Sequence, residues 1–341
     1  MIRYKHEYIN DELLPVVWQI TQGQDKDITY ICDWLKENNN AIDNVLNIQG
    51  ALLIRGFNAM RTAEDFQHVI SSIFPKLMDY VGGTSPREQV YGNIMTATNM
   101  PPSWSIPLHQ EMSYLKNSPS RIAFFCTQPA ISGGYSTLGN MRYVTDIIAP
   151  DVMKKFKTHG LQLCRSLPSL KTINDKPGVQ KAWSEVFSTT NRDQVDEISK
   201  HKGWCTEWLN NDTLRIWQEI LPATKLHPYD QTEVWFNQVH MFSPVCSELW
   251  AKRDAREDDY LRLCDARNNN PDMLDKVFYG NGELVSKEDA TYISRILEES
   301  EIQTKLTNSD LLILDNIFVA HGRSPFSGKR EILVALIESR N

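Results

Sequence analysis

Several features that would announce a partner or a compartment are missing from this 341-residue chain. Its six cysteines (Cys32, Cys126, Cys164, Cys205, Cys246 and Cys264) show no C-x-x-C spacing, so neither a zinc module nor a disulfide framework is expected. Buried free thiols are the simplest reading. Nowhere do eighteen apolar residues run together, and the first residues, MIRYKHEYINDELLPVVWQI, lack the apolar centre and small-residue cleavage site of a secretion signal. A cytoplasmic protein without a membrane partner is the expectation. Basic residues are outnumbered, 36 Lys and Arg against 43 Asp and Glu, and the net charge of -7 leaves no electrostatic footprint for nucleic acid. Repeats, low-complexity tracts and Pro/Gly/Ser-rich linkers are also missing, so residues 1–341 are read as one domain.

What the chain does contain is enough apolar material, 41% of residues, to bury a core. Short apolar runs bounded by turn residues predict buried strands at Gly50–Phe57 (GALLIRGF), Arg121–Cys126, Asp310–Asp315 and Ile332–Ile337. Thr62 opens a T-x-x-D capping box ahead of an amphipathic helix carrying Phe66, Val69, Ile70 and Phe74 on one side. Between about 150 and 230 the pattern turns polar and helical, with Trp183, Phe187, Trp204, Trp208 and Trp217 interspersed. This stretch is expected to form a largely helical insertion flanking a β core.

The residues that carry chemistry are His109-Gln110-Glu111 and, far downstream, His321 in the run LLILDNIFVAHGRSPFSGKREILVALIE. An H-x-E tripeptide alone says little, because chance produces one in many chains. Two imidazoles and one carboxylate, however, form the ligand set of a facial triad, which holds a non-haem Fe(II) by one face and leaves positions open for reaction. Alternate residues His109 and Glu111 share a side only in extended chain, whereas helical metalloproteases space two histidines four apart on one helix. Histidine motifs beside strands at opposite ends of a long stretch suit a barrel-like β-sandwich, in which distant strands become neighbours. His240 lacks a second ligand at metal spacing and is read as structural. The tryptophans, Trp104 and Trp235 among them, are read as packing.

Two stretches, SIPLHQEMSYLKNSPSRIAFFCTQPAISGGYSTLGNMR and DNIFVAHGRSPFSGKR, closely resemble the Fe(II)- and 2-oxoglutarate-dependent dioxygenases of the TauD/TfdA superfamily. The branch is similar to the syringomycin-pathway hydroxylase and, more distantly, to clavaminate synthase. The resemblance runs from about Gly82 (GGTSPR) to the C-terminus and takes in VWFNQVHMF and FYGNG. It implies an α+β protein with a mainly β core, a double-stranded β-helix or cupin-like jelly roll with flanking helices. It implies His109, Glu111 and His321 as iron ligands, with 2-oxoglutarate and O2 as cosubstrates. Arg330, nine residues after His321, falls at the position that anchors the far carboxylate of 2-oxoglutarate, where a guanidinium fork fits better than an ammonium. Ser136 takes the hydroxyl position of the family's GGxT pattern, with Thr137 immediately after as the alternative.

Where the chain departs from the pattern it bears on substrate. The second arginine that binds sulfonate in taurine dioxygenase is replaced by Val334, which disfavours a sulfonate. Glu111 keeps the carboxylate that related halogenases lose, which favours hydroxylation. Tyr135 and Asn140 stand where acidic residues are usual, and LTNSD (306–310) replaces the usual W-x-x-G-D, marking a divergent member. Arg87 and Gln238 lie in segments resembling the family's cavity wall, and Arg323 is a third candidate for facing substrate. The resemblance implies an amino-acid-like substrate, free or carried as an aminoacyl thioester on a carrier protein, in a specialised-metabolite pathway. Desaturation or cyclisation by the same centre, a sensor without turnover, and a zinc hydrolase are the rival readings.

Overall fold

The computed structural model describes residues 2–8, 10, 13–23, 26–80, 87–175, 181–209 and 212–338. The first five residues of the GGTSPR stretch lie outside the described residues; its Arg87 lies within them.

Two sheets build the core. The larger one runs in the order Arg3–Tyr8, Val16–Gln22, Ala51–Arg55, Leu311–Asp315, Arg121–Gln128, Glu331–Ile337, Ile94–Thr96, Gln89–Tyr91. The smaller one runs Ile302–Thr304, Ser136–Asn140, Val319–Arg323, Ile106–His109, antiparallel throughout. All four apolar runs read from the sequence are strands of the larger sheet.

These runs are apolar on both faces because both faces are covered, and the strand period of two sorts their side chains. Leu312, Leu314, Val334, Leu336 and Ile122 share a core with Leu108, Leu138 and Val319 of the smaller sheet. Their neighbours Leu311, Ile313, Leu333, Ala335, Ala123 and Phe125 face the other way, onto helices Ile28–Glu37 and Ala63–Ile73. Two sheets closed over one core, the larger antiparallel except where Val16–Gln22 runs parallel to Ala51–Arg55, with helices outside, are consistent with the expected jelly roll. The Ala63–Ile73 helix is capped as its sequence dictates: the Thr62 hydroxyl accepts from the Asp65 amide, and the Asp65 carboxylate accepts from the Thr62 amide.

The 150–230 stretch corrects the expectation of a largely helical insertion. Helices Pro150–His159, Leu170–Asp175, Trp183–Phe187 and Arg192–His201 are present. So are three strands of a third, antiparallel sheet, ordered Cys205–Trp208, Leu214–Trp217, Leu161–Leu167, Lys276–Tyr279, the last of which comes from beyond the stretch. Its physical basis is alternation: Leu214 and Ile216 bury one side of their strand against Leu167, Trp183, Val195 and Trp204, a small core separate from the main one. No helix among the described residues is long and apolar enough to cross a membrane.

Candidate metal centre

His109 ends one strand of the smaller sheet and His321 sits within its neighbour, and the two are directly opposed across the antiparallel pair. Their rings lie 4.5 Å apart, centroid to centroid. Glu111, two residues beyond the strand end, brings its Oε2 to 3.7 Å from the Nε2 of His321. One donor atom from each of the three residues falls within 4.8 Å of the others, and no other metal-binding group of this kind occurs among the described residues.

Why the strands approach so closely is visible at Gly322. A Cβ there would stand 2.4 Å from the carbonyl oxygen of Ile106 and 2.6 Å from Oγ1 of Thr137, on the strands at either side. Only glycine lets the ladder close beside His321.

The protonation of the site suits a metal. The Nδ1–H of His109 donates to the carbonyl of Pro107 at 2.9 Å, which leaves Nε2 with its lone pair. Burial, reinforced by the neighbouring His321, pulls the His109 pKa down to about 3, so the imidazole is neutral at physiological pH. Burial would raise the Glu111 carboxyl, but the Arg87 guanidinium and the two histidines outweigh it and hold the group well below the usual carboxylate range. Arg87 Nη2 donates to Glu111 Oε2 at 2.7 Å, with both side chains almost wholly buried.

Two buried amides fix the ligand segment. Asn316, in the turn that leads into the His321 strand, accepts from the Glu111 amide at 2.7 Å. Its Nδ2 donates to the Glu111 carbonyl at 3.0 Å and to the Pro119 carbonyl at 2.8 Å. Gln110 donates to the carbonyls of Trp235 and Ile317, at 2.9 and 2.8 Å. The turn is itself tied down by Asp315, which accepts from the amides of Ile317 and Phe318 and from Nε2 of His227. Sequence reading missed Asn316 and Gln110. Their signal was available only as uncharged polar residues inside otherwise apolar runs.

A cavity opens on His109 and His321, lined also by Arg87, Phe124, Ser136, Leu138, Leu312, Arg323, Arg330 and Ile332 among others. Ser136, Leu138, His321 and Arg323 face it together because Ser136 pairs with Arg323 and Leu138 with His321 across the strands. Thr137, paired with Gly322, points to the other face. Of the two candidate hydroxyls, Ser136 lines the cavity and Thr137 does not.

Arg330 donates from Nε to the Gly134 carbonyl at 3.2 Å and has no carboxylate partner among the described residues. Burial lowers its pKa to about 10, still leaving it charged. Arg323 also lines the cavity, but its guanidinium holds the carbonyls of Met100, Pro101 and Trp104, at 3.3, 2.8 and 2.6 Å. Gln238 is not brought to this cavity. It donates to the Gln110 carbonyl at 2.7 Å and borders a second cavity with Ser113, Tyr114 and Gln218, so its contact with the site is through the ligand segment. His240 is buried, with its Nε2 2.8 Å from the Leu108 carbonyl. Val334 is fully buried, and Trp235 packs edge-on against Phe156.

The residues present fit the implied groups. Two imidazoles and one carboxylate converge from one side, the donor set that suits Fe(II) with positions left open. The unpaired guanidinium of Arg330 beside the Ser136 hydroxyl, in the same cavity, fits the far carboxylate of a dicarboxylate cosubstrate.

Comparison with known proteins agrees. Residues 14–336 match the family model described as taurine catabolism dioxygenase TauD, TfdA family. The chain is 28% identical over 302 residues to the dapdiamide synthesis protein DdaC of Enterobacter agglomerans, covering 88% of this chain and 86% of that protein. It is 28% identical over 307 residues to a clavaminate synthase-like protein of Arabidopsis thaliana, covering 89% and 86%. Among solved structures, PvcB of Pseudomonas aeruginosa superposes with a TM-score of 0.50 at 12% identity, covering 99% of this chain and 92% of that one. A second structure, of PvcB as an Fe, α-ketoglutarate-dependent oxygenase from an isonitrile synthetic pathway, gives 0.50 at 13% identity with the same coverage. At such identities these two likenesses show the fold alone. On the family match, the chain belongs to the TauD/TfdA family and is an iron- and 2-oxoglutarate-dependent dioxygenase.

Proposed function

We propose that the enzyme hydroxylates an unactivated C–H bond of an amino-acid-like substrate, free or carried as an aminoacyl thioester on a carrier protein, in specialised-metabolite biosynthesis. The observation that carries this reading is the intact triad, with Glu111 as its carboxylate, whose two histidines share a cavity with Ser136 and Arg330. A retained carboxylate favours hydroxylation over halogenation, because no ligand position on that side is given up to a halide. The relation to the dapdiamide synthesis protein supports a place in a specialised biosynthetic pathway.

In this reading His109, Glu111 and His321 hold Fe(II), and Arg330 with Ser136 holds the far carboxylate of 2-oxoglutarate. Iron, 2-oxoglutarate and O2 together supply an oxidant strong enough for an unactivated C–H bond, with succinate and CO2 as co-products. The chain's own work is placement and exclusion of water. Phe124, Leu138, Leu312 and Ile332 give the cavity an apolar wall, and the pairing of Ser136 with Arg323 sets the serine toward the cosubstrate end. Arg87 and Arg323 are the substrate-side cations; Gln238 acts only through Gln110. We read residues 1–341 as one catalytic domain, a reading supported by the family match across 14–336.

The experiment is a mass-spectrometric screen of amino acids, free and carrier-tethered, with Fe(II), 2-oxoglutarate and O2. A product heavier by one oxygen, formed only with 2-oxoglutarate, is expected. A product lighter by two hydrogens would replace hydroxylation with desaturation or cyclisation. Absence of any succinate across the screen would move the protein to a sensor role.

A further inference from the structure

Arg87 is placed unusually for a residue whose charge is satisfied. Its side chain is 4% exposed, it lies over the Tyr80 ring at 4.6 Å, and it lines the triad cavity. Nη2 bonds Glu111, while Nε and Nη1 are buried with no hydrogen-bond partner among the described residues. A guanidinium offers five N–H donors, and leaving buried ones unmet is costly. Its one acceptor is also a metal ligand, so the carboxylate's charge is shared once a cation binds.

The charges around the cavity point the same way. Three guanidiniums line it, Arg87, Arg323 and Arg330, and Glu111 is the one carboxylate brought to them among the described residues. A divalent cation and a dicarboxylate cancel each other, so the excess of positive charge remains after both have bound. Arg330 is then engaged by the dicarboxylate and Arg323 by three carbonyls. Arg323 keeps one buried N–H unmet, its Nε, whereas Arg87 keeps two, Nε and Nη1, and would share its one anion, Glu111, with the metal.

We propose that the substrate is an acid and that Arg87 receives its carboxylate, which makes Arg87 the residue that selects for it. The inference rests on the oxygenase reading and adds the substrate class. The carboxylate has two possible sources: the α-carboxylate of a free amino acid, or the side chain of an acidic residue tethered as a thioester. A tethered neutral residue offers none.

The test is calorimetric and needs no turnover. Protein loaded with Mn(II) and 2-oxoglutarate, without O2, is titrated with amino acids as free acids, as α-carboxamides and as N-acetylcysteamine thioesters. Binding by a free acid but not its carboxamide supports the α-carboxylate; binding confined to aspartyl or glutamyl thioesters supports the side chain. In either case Arg87→Gln should weaken that ligand at least tenfold, and Arg87→Lys should weaken it less. Carboxamides or neutral thioesters that bind as tightly as acids, an acid whose affinity is unchanged in Arg87→Gln, or no response from any acid would each overturn the proposal. The wild-type acid-against-amide comparison holds even if a variant fails to fold. If wild-type protein takes up no 2-oxoglutarate with Mn(II), the oxygenase reading itself fails, whereas normal uptake with no preference for acids sinks only the substrate class.

Discussion

His109 and His321 stand opposite each other across an antiparallel strand pair, and the metal centre is in effect a cross-strand contact of the smaller sheet. Residues opposed in this way are held at short range by the ladder itself. The sheet therefore fixes two of the three ligands before any metal arrives, and Glu111 is added by the turn that follows the strand.

Gly322→Ala tests that dependence on the ladder. The added methyl would meet the Ile106 carbonyl and Thr137 Oγ1 at 2.4 and 2.6 Å, so the strands on either side must part. A cost of about 1–3 kcal/mol in stability is expected from such overpacking. Metal affinity, measured by Mn(II) titration, should fall along with the melting temperature.

Asn316→Ala should weaken the metal without touching a ligand. The side chain holds both the amide and the carbonyl of Glu111, and groups that orient metal ligands are worth roughly 10–100-fold in affinity. Comparing melting temperatures with and without Mn(II) separates the roles. A purely structural loss lowers both equally, whereas loss of ligand placement shrinks the increment that the metal provides.

Arg330→Ala should leave metal binding intact and raise the dissociation constant for 2-oxoglutarate. Removing a buried charged partner costs about 2–5 kcal/mol, so a loss of at least 30-fold is expected, partly recovered in Arg330→Lys. Ser136→Ala should cost less, on the order of 1 kcal/mol, as one neutral hydrogen bond would. Calorimetry with 2-oxoglutarate on Mn(II)-loaded protein reads both.

Stability should fall as pH rises from about 4.5 to 7 because of Glu301. Burial pushes its carboxyl up from 4.5 to about 7, with Glu298 and Asp254 adding to the rise and Arg253 opposing it. The folded state thus holds a proton that the unfolded chain releases. This contribution is complete below the unfolded value and is lost as pH passes the folded one. Allowing for partial exposure, it amounts to roughly 2–3 kcal/mol. Glu301→Gln should flatten this part of the melting-temperature profile and be the more stable protein at pH 8.

The sequence made the β core legible because its strands are apolar on both faces, and Thr62 with Asp65 announced a helix start by chemistry that acts locally. The triad could be read because His109 and Glu111 alternate and His321 stands in a resembling stretch. The inserted sheet was hidden by brevity. Strands of four residues such as Leu214–Trp217 alternate only twice, and the intervening tryptophans mimic a helical face. Asn316 and Gln110 were hidden for another reason, since a buried amide reveals its role only when the turn places it against a distant main chain. Gln238 was assigned to the cavity wall by analogy of segment, and the fold turned its amide onto Gln110 instead.

The most direct test of the central claim is an anaerobic titration of wild-type and His321→Ala protein with Fe(II), followed by 2-oxoglutarate. One iron per chain, 2-oxoglutarate binding that requires the iron, and loss of both in the variant are the predicted results. Iron uptake unchanged in His321→Ala, or 2-oxoglutarate bound equally well without metal, would contradict the site described.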